Sequence, residues 1–358
     1  MERLVKCEVL DAIWKRRTPG GIVHLYLSKA RRLEGQDKVR IIDPVADVIE
    51  KTVKKYKTKV ITPDCANCYL STKTFTGKKK YKIAWVQDYS KLGGAELSNM
   101  YLVDIGERLG YDIVGITPNN TNTTILESAD LIVINNIFEF TPERMGAILR
   151  CIYEKRIPYV KYDHDHREMR RKQFARQLFT MSRLNIFISP MHLDKMVSVV
   201  GEQIRNHSLC LPLAIDTKLF KINKNYKRIK NSVLIPTYKK CGANVNKYIE
   251  KNADKSYTFL GNCTFENNYK VKAEIVEKVE LGKMVELYNT HEYMLHVPMS
   301  FWAGERVYFE AMLCGCKCVT NENVGHVSWN FNKRNLRGVL DKAPYRFWDK
   351  ISEVLKGV

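Results

Sequence analysis

The chain has 358 residues and is 45% hydrophobic, enough to bury two cores of ordinary domain size, so its length favours two or three domains over one. Its 59 Lys and Arg outnumber 39 Asp and Glu, a formal charge of +20 that steers a protein toward polyanions or anionic membrane surfaces and says nothing of fold. No run of about 18 apolar residues occurs and residues 1–6 lack the pattern of an export signal, so a cytoplasmic protein is expected, with peripheral contact at the inner membrane face as a further reading of the charge.

Residues 1–80 carry 19 basic and 9 acidic residues, half of the surplus charge. They read as a separate basic extension of unknown fold, with an apolar run at 22–27, a helix at 45–56, a β-like run at 59–62 and the cluster Lys78-Lys79-Lys80. Cys65 and Cys68 form a C-x-x-C without a second pair at zinc-ribbon spacing, which favours a loop holding two thiols over a zinc site. The ten cysteines are expected to be reduced and mostly buried.

From Tyr81 the pattern becomes strand and helix in alternation. A buried strand at 83–86 precedes a helix with Leu97, Tyr101, Ile105 and Leu109 on one face and Gly110 as its stop. Short apolar runs follow at 113–116, 131–134, 159–160 and 185–189, and after the basic stretch 221–231 a second series begins at 233–235, 257–260, 293–297 and 316–320. Cys316 and Cys318 would share one face of the last strand as core filling. Short buried strands alternating with helices imply parallel sheets covered on both faces. Two such series imply two domains, an N-terminal one at 81–225 and a C-terminal one at 226–340, with a terminal helix at 341–358 that packs back on the first. Ligands of open α/β sheets bind at the carboxyl ends of the strands, and a cleft between two such domains is the default site.

Two segments at strand ends carry candidate chemistry. Gly93 and Gly94 stand between the first strand and its helix, where paired glycines let backbone amides approach an anionic group or an acceptor, or simply make a tight turn. Tyr162-Asp163-His164-Asp165-His166-Arg167 follows the apolar run 158–160. Contact to a sugar or phosphate, a solvated loop and a metal site all fit it, the last without a third and fourth ligand.

Two further segments are more specific. Pro212-Leu213-Ala214-Ile215-Asp216-Thr217-Lys218-Leu219-Phe220 resembles the P-x-G-x-D-x-x-x-F segment that ends the N-terminal domain of retaining glycosyltransferases of the GT-B fold, the fourth family in the usual classification. Ala214 stands where those enzymes usually carry glycine. The run from Phe301 through Gly304-Glu305-Arg306-Val307 to Glu310-Ala311-Met312 and Gly315 resembles the same family's donor-binding signature, a glycine loop opening a helix with E-A-M-x-x-G. The resemblance runs from about Lys82 to Trp329 and leaves the extension aside.

The fold implied is α/β, GT-B type, with two Rossmann-like domains and a basic N-terminal extension. The activity implied is a hexosyltransferase-type transfer from a nucleoside-diphosphate sugar to an acceptor hydroxyl, with anomeric configuration retained, no cofactor and no metal. Amides at Gly304, Glu305, Arg306 and Val307 would take the diphosphate and Glu310 the ribose hydroxyls. Lys239 and Lys240 would neutralise the leaving group, His164 beside Asp165 would contact the transferred sugar, and Gly93 and Gly94 would allow close approach of donor and acceptor. The family pattern also places a glutamate eight positions before Glu310, where this chain has Trp302. An anionic acceptor fits the charge, whether DNA, a lipid-linked acceptor or a polysaccharide. A nucleic-acid-binding protein on a degenerate glycosyltransferase scaffold is the alternative reading, and an enzyme that glycosylates DNA would combine the two.

Overall fold

The computed structural model describes residues 81–88, 93–120, 122–165, 172–261, 265, 267–277, 279–331 and 333–357, and the backbone of four short strands before residue 32. β1 (Glu8–Val9) pairs antiparallel with β4 (Ala30–Arg31), and β2 (Ile13–Arg17) with β3 (Val23–Leu27), which takes up the apolar run at 22–27. The readings at 45–56, 59–62, Cys65, Cys68 and 78–80 lie outside the described residues, as do His166 and the side chain of Lys240.

Two sheets follow in chain order. The first holds β5 (Lys82–Val86), β6 (Asp112–Ile116), β7 (Leu131–Ile134), β8 (Tyr159–Asp163), β9 (Leu184–Phe187) and β10 (Ser208–Cys210), in the order β10-β9-β8-β7-β5-β6. The second holds β11 (Ile229–Ile235), β12 (Ser256–Leu260), β13 (Lys272–Val276), β14 (His291–His296) and β15 (Lys317–Thr320), parallel throughout in the order β13-β12-β11-β14-β15. In each sheet a crossover helix follows most strands, the doubled Rossmann-like arrangement expected from the two series of apolar runs.

The chain divides into two compact units, residues 1–96 with 103–159, and residues 97–102 with 160–358. In the first, β7 is buried along its whole length, as a strand covered on both faces requires. α2 (Thr123–Glu127) is capped by Asn122, whose Oδ1 accepts from Thr124 N at 3.0 Å. α3 (Pro142–Lys155) starts at the Thr141 cap with Pro142 at its first position, where no amide is needed.

α1 (Gly94–Arg108) ends before Gly110, which takes φ 94. The predicted apolar stripe is corrected here. Leu97 and Tyr101 are half-buried and Leu109 is exposed, while Ser98, Asn99, Leu102, Val103 and Ile105 are buried. The buried face is thus displaced from the stripe that apolar spacing suggested, because two polar side chains have partners inside.

In the second unit, α4 (Lys172–Thr180), α5 (Pro190–Val200), α6 (Tyr238–Lys251), α7 (Leu281–Thr290), α8 (Arg306–Leu313) and α9 (Lys333–Lys356) connect the strands or follow them. Phe179, Phe187, Met196 and Val200 form one apolar cluster. Val233, Ile235, Tyr257, Phe259 and Leu295 form another beneath α6. Cys314 and Cys316 are buried and Cys318 is half-buried, with the Cys316 thiol donating to Tyr288 O at 3.0 Å. α9 starts before residue 341 and anchors by Trp348 Nε1, which donates to Leu102 O at 2.8 Å. Among the described residues, no helix is long and apolar enough to cross a membrane.

Candidate functional site

In the first unit, Gly93 caps α1 in extended conformation, and its amide donates to Glu96 Oε2 at 2.8 Å. The first turn of α1 therefore already holds a carboxylate against its positive end. At the carboxyl end of β5, Asp88 accepts from the amides of Phe138 at 2.7 Å and Glu139 at 3.1 Å. Burial pushes the Asp88 carboxyl up to about 7 in spite of these two amides.

In the second unit, β8 runs Tyr159-Val160-Lys161-Tyr162-Asp163 without an exposed residue. Lys161 and Asp163 are two apart and so share a face, and Lys161 Nζ reaches Asp163 Oδ1 at 2.7 Å with both side chains wholly buried. His192, also wholly buried, brings Nε2 to 3.1 Å from the other carboxylate oxygen. Burial alone would raise the Asp163 carboxyl, but Lys161 and His192 outweigh it and hold it below the usual carboxylate range. The carboxylate thus serves a lysine and a histidine that the sequence reading had left out. The signal for one of them was present in a lysine interrupting an apolar run.

His164, next along, is buried with its ring against the edge of Tyr162 at 4.3 Å. Burial drives its imidazole down to about 3, so it is neutral at physiological pH. Among the described residues its Nε2 has no hydrogen-bond partner. Asp165 is buried beside it in sequence. Among the described residues, no group of three or more potential ligands converges as a metal site would require.

α8 begins after β14, at the carboxyl edge of the second sheet. Its cap residue Glu305 has extended backbone, no side chain caps its amides, and no acidic residue occupies its first turn. The preceding loop is zipped to residues 323–325. Trp302 N donates to Asn323 O and Gly325 N donates to Trp302 O, each at 2.8 Å. Gly304 and Val307 are half-buried.

Arg306, the first residue of the helix, and Glu310, one turn on, are 5% exposed each and paired, Arg306 Nε to Glu310 Oε1 at 2.8 Å. Arg306 Nη1 also donates to Ser98 Oγ and to Ala214 O, both at 2.9 Å. The Tyr288 hydroxyl lies 3.4 Å from Glu310 Oε2, and burial together with Glu310 holds its phenol well above the ordinary value. A buried carboxylate is thereby kept in place by a cation and a neutral donor, with lone pairs left for a ligand's hydroxyls. Ala214, which stands where glycine was expected from the family pattern, supplies the carbonyl for Arg306. Asp216 Oδ1 turns the same segment by accepting from Lys218 N at 3.0 Å and Leu219 N at 3.3 Å.

Lys239 is exposed in the first turn of α6. Just before it, Thr237 Oγ1 meets His296 Nδ1 at 2.6 Å, tying together the carboxyl ends of the adjacent strands β11 and β14. The second unit therefore gathers Arg306, Glu310, Ser98 and Ala214 into one connected set. Gly93 and Gly94 belong to α1's own cap.

No protein-family model matches the sequence, and no curated protein matches it. Solved structures do resemble the fold. The HepE protein of Anabaena, solved with UDP and glucose, superposes with TM-score 0.57 at 14% identity over 78% of this chain and 100% of its own. A glycosyltransferase from Rickettsia africae does so with TM-score 0.58 at 11% identity, again over 78% and 100%. An alpha-glucosyltransferase in complex with UDP-glucose and DNA containing an abasic site matches with TM-score 0.50 at 12% identity, over 74% and 89%. The chain shares the GT-B fold of these glycosyltransferases.

Proposed function

We propose that the chain is a glycosyltransferase that moves a sugar from a nucleoside-diphosphate sugar to an acceptor hydroxyl with retention of anomeric configuration, as a member of the fourth family of GT-B enzymes. One observation carries this reading. α8 opens at the carboxyl edge of a parallel sheet with no side-chain cap on its amides and no acidic residue within its first turn after the cap Glu305, and one turn in stands a buried, braced carboxylate, Glu310. An uncapped helix N-terminus suits a diphosphate, and a carboxylate one turn on suits the two hydroxyls of a ribose. The fold shared with proteins solved with UDP and UDP-glucose supports the same donor class.

In this reading residues 226–340 hold the donor and 81–225 the acceptor. Amides at Gly304, Arg306 and Val307 bind the diphosphate, the Glu305 amide of the expected set being directed at His326 Nδ1 at 3.2 Å, and Lys239 and Lys240 neutralise it as it leaves. His164, neutral and with a free Nε2, contacts the transferred sugar, with Asp165 behind it. Gly93 and Gly94 let the acceptor approach. Fixed dipoles and cations supply the positive charge that the leaving group needs, and such a transfer needs little from a protein nucleophile.

A screen of nucleoside diphosphates and their sugars by thermal unfolding tests it. A ligand at one hundred times its dissociation constant stabilises by about 2.7 kcal/mol. A protein indifferent to every member of the panel is not a transferase of this class. The surplus charge favours an anionic acceptor such as DNA, which is bound together with UDP-glucose in one solved structure of this fold. Steep loss of DNA binding with salt supports that acceptor, and its absence directs attention to lipid-linked or polysaccharide acceptors.

A further inference from the structure

His326 lies in a 3-10 turn, Gly325–Trp329, twenty residues after the loop that opens α8, and its ring is 1% exposed. Three of its contacts converge on that loop. Nδ1 lies 3.2 Å from Glu305 N and 3.1 Å from Glu305 O, at the cap of the helix. The ring stacks on Phe309, with centroids 4.2 Å apart and planes inclined by 25°, one residue before Glu310. Nε2 has no hydrogen-bond partner among the described residues and faces Gly304 so closely that a Cβ there would sit 2.1 Å from it. The turn itself is fastened to the loop, since Gly325 N donates to Trp302 O, and a Cβ on Gly325 would meet Ala303 O at 2.1 Å.

We propose that His326 is the positioning residue of the donor loop, holding the Glu305 backbone so that the neighbouring amides of Gly304 and Arg306 face a diphosphate; this rests on the donor reading of α8 given above. One ring touches residues 304, 305 and 309, so it couples the cap of α8 to its first turn. A phenyl group offers the same stack but no atom for the Glu305 backbone, and that is what an imidazole adds. Burial keeps the ring uncharged, with its imidazole driven down to about 3, so it contributes shape and one hydrogen bond, not charge. Glycine at 304 follows from the ring's position, because its backbone φ does not fall in the left-handed region where glycine is favoured.

The test compares the full-length protein with His326→Phe, His326→Asn, Gly304→Ala and Glu310→Gln. Binding of UDP, GDP and ADP is measured by calorimetry against uridine, guanosine and adenosine. His326→Phe is expected to weaken the preferred diphosphate about five- to tenfold, in line with one lost hydrogen bond, while the matching nucleoside changes less than twofold. His326→Asn, which restores an acceptor and donor at the ring edge, recovers at least half of that loss. Gly304→Ala produces the same selective loss, and His326→Ala added to it relieves the clash and raises its melting temperature. Should His326→Phe fail to fold, the Asn variant and this double variant decide.

Equal losses for nucleoside and diphosphate would make His326 a merely structural prop and overturn the assignment. Unchanged diphosphate binding in His326→Phe, with weakened binding in Glu310→Gln, would overturn it while sparing the donor reading. A parent protein that binds no diphosphate, with Glu310→Gln also without effect, would sink the donor reading itself.

Discussion

Replacing Arg306 by Met separates the two roles of the α8 ion pair. The change removes the cation paired with a carboxylate that is 5% exposed, and it strips partners from Ser98 Oγ and Ala214 O, both 2.9 Å away. Removing one member of a buried pair typically costs about 3 to 5 kcal/mol, because the other is left buried and uncompensated. At about 2 to 4 °C per kcal/mol for a protein of this size, the melting temperature should fall by roughly 6 to 20 °C. Adding Glu310→Gln to Arg306→Met removes the stranded charge and should restore at least half of the loss. The same Glu310→Gln change should leave donor affinity about tenfold down, since a charged acceptor of ribose hydroxyls has become neutral. Calorimetric unfolding of the four proteins of this cycle gives the coupling, and nucleotide titration gives the binding. An Arg306→Met protein that melts within about 1 °C of the parent, or a double variant no more stable than the single one, would refute the argument from the buried pair.

Three further outcomes are expected. Asp88 has its folded pKa raised from 3.8 to about 7 by burial. The folded protein therefore binds the extra proton between those values, stability falls as pH rises across that window, and it levels off above about 7; Asp88→Asn should flatten that slope in denaturant titrations at several pH values. Turnover should persist in excess chelator and fall sharply in Lys239→Ala/Lys240→Ala, whereas loss restored by a divalent ion would move Asp163 and His164 toward a metal site. Removing residues 1–78 should spare donor binding and raise the acceptor KM, with a shallower salt dependence of initial rate. An unchanged KM and salt slope would show that the basic extension does not hold the acceptor.

Periodicity alone located most of the strands, because a buried parallel strand must be apolar along its length, as Leu131–Ile134 is. It passed over Ser208–Cys210 and Lys272–Val276 for the same reason. One is three half-buried residues and the other a largely exposed strand at the end of its sheet, reading Lys-Ala-Glu-Ile-Val, and neither has the apolar run that marks a covered strand. The buried face of α1 was misplaced because Ser98 earns its burial from Arg306, 208 residues away.

Short-range chemistry at the site was equally legible. Gly304 and Glu310 lie within a few residues of each other, so spacing alone puts the loop and the carboxylate on one helix start, and Lys161, two residues from Asp163, shares its face although it was passed over. What the linear order did not contain was who meets whom across the fold. His192 against Asp163, Ala214 O and Tyr288 around the Arg306 and Glu310 pair, and the His326 ring over Gly304 are contacts between segments brought together only by chain folding. The sequence by itself determined the types of the elements and the residue classes at their ends, because local sterics and the apolar period act within a turn or a strand. Only the tertiary structure decided which charges are paired, which ring nitrogen is left open and why position 304 must be glycine, because each depends on atoms that approach within a few ångströms from distant parts of the chain.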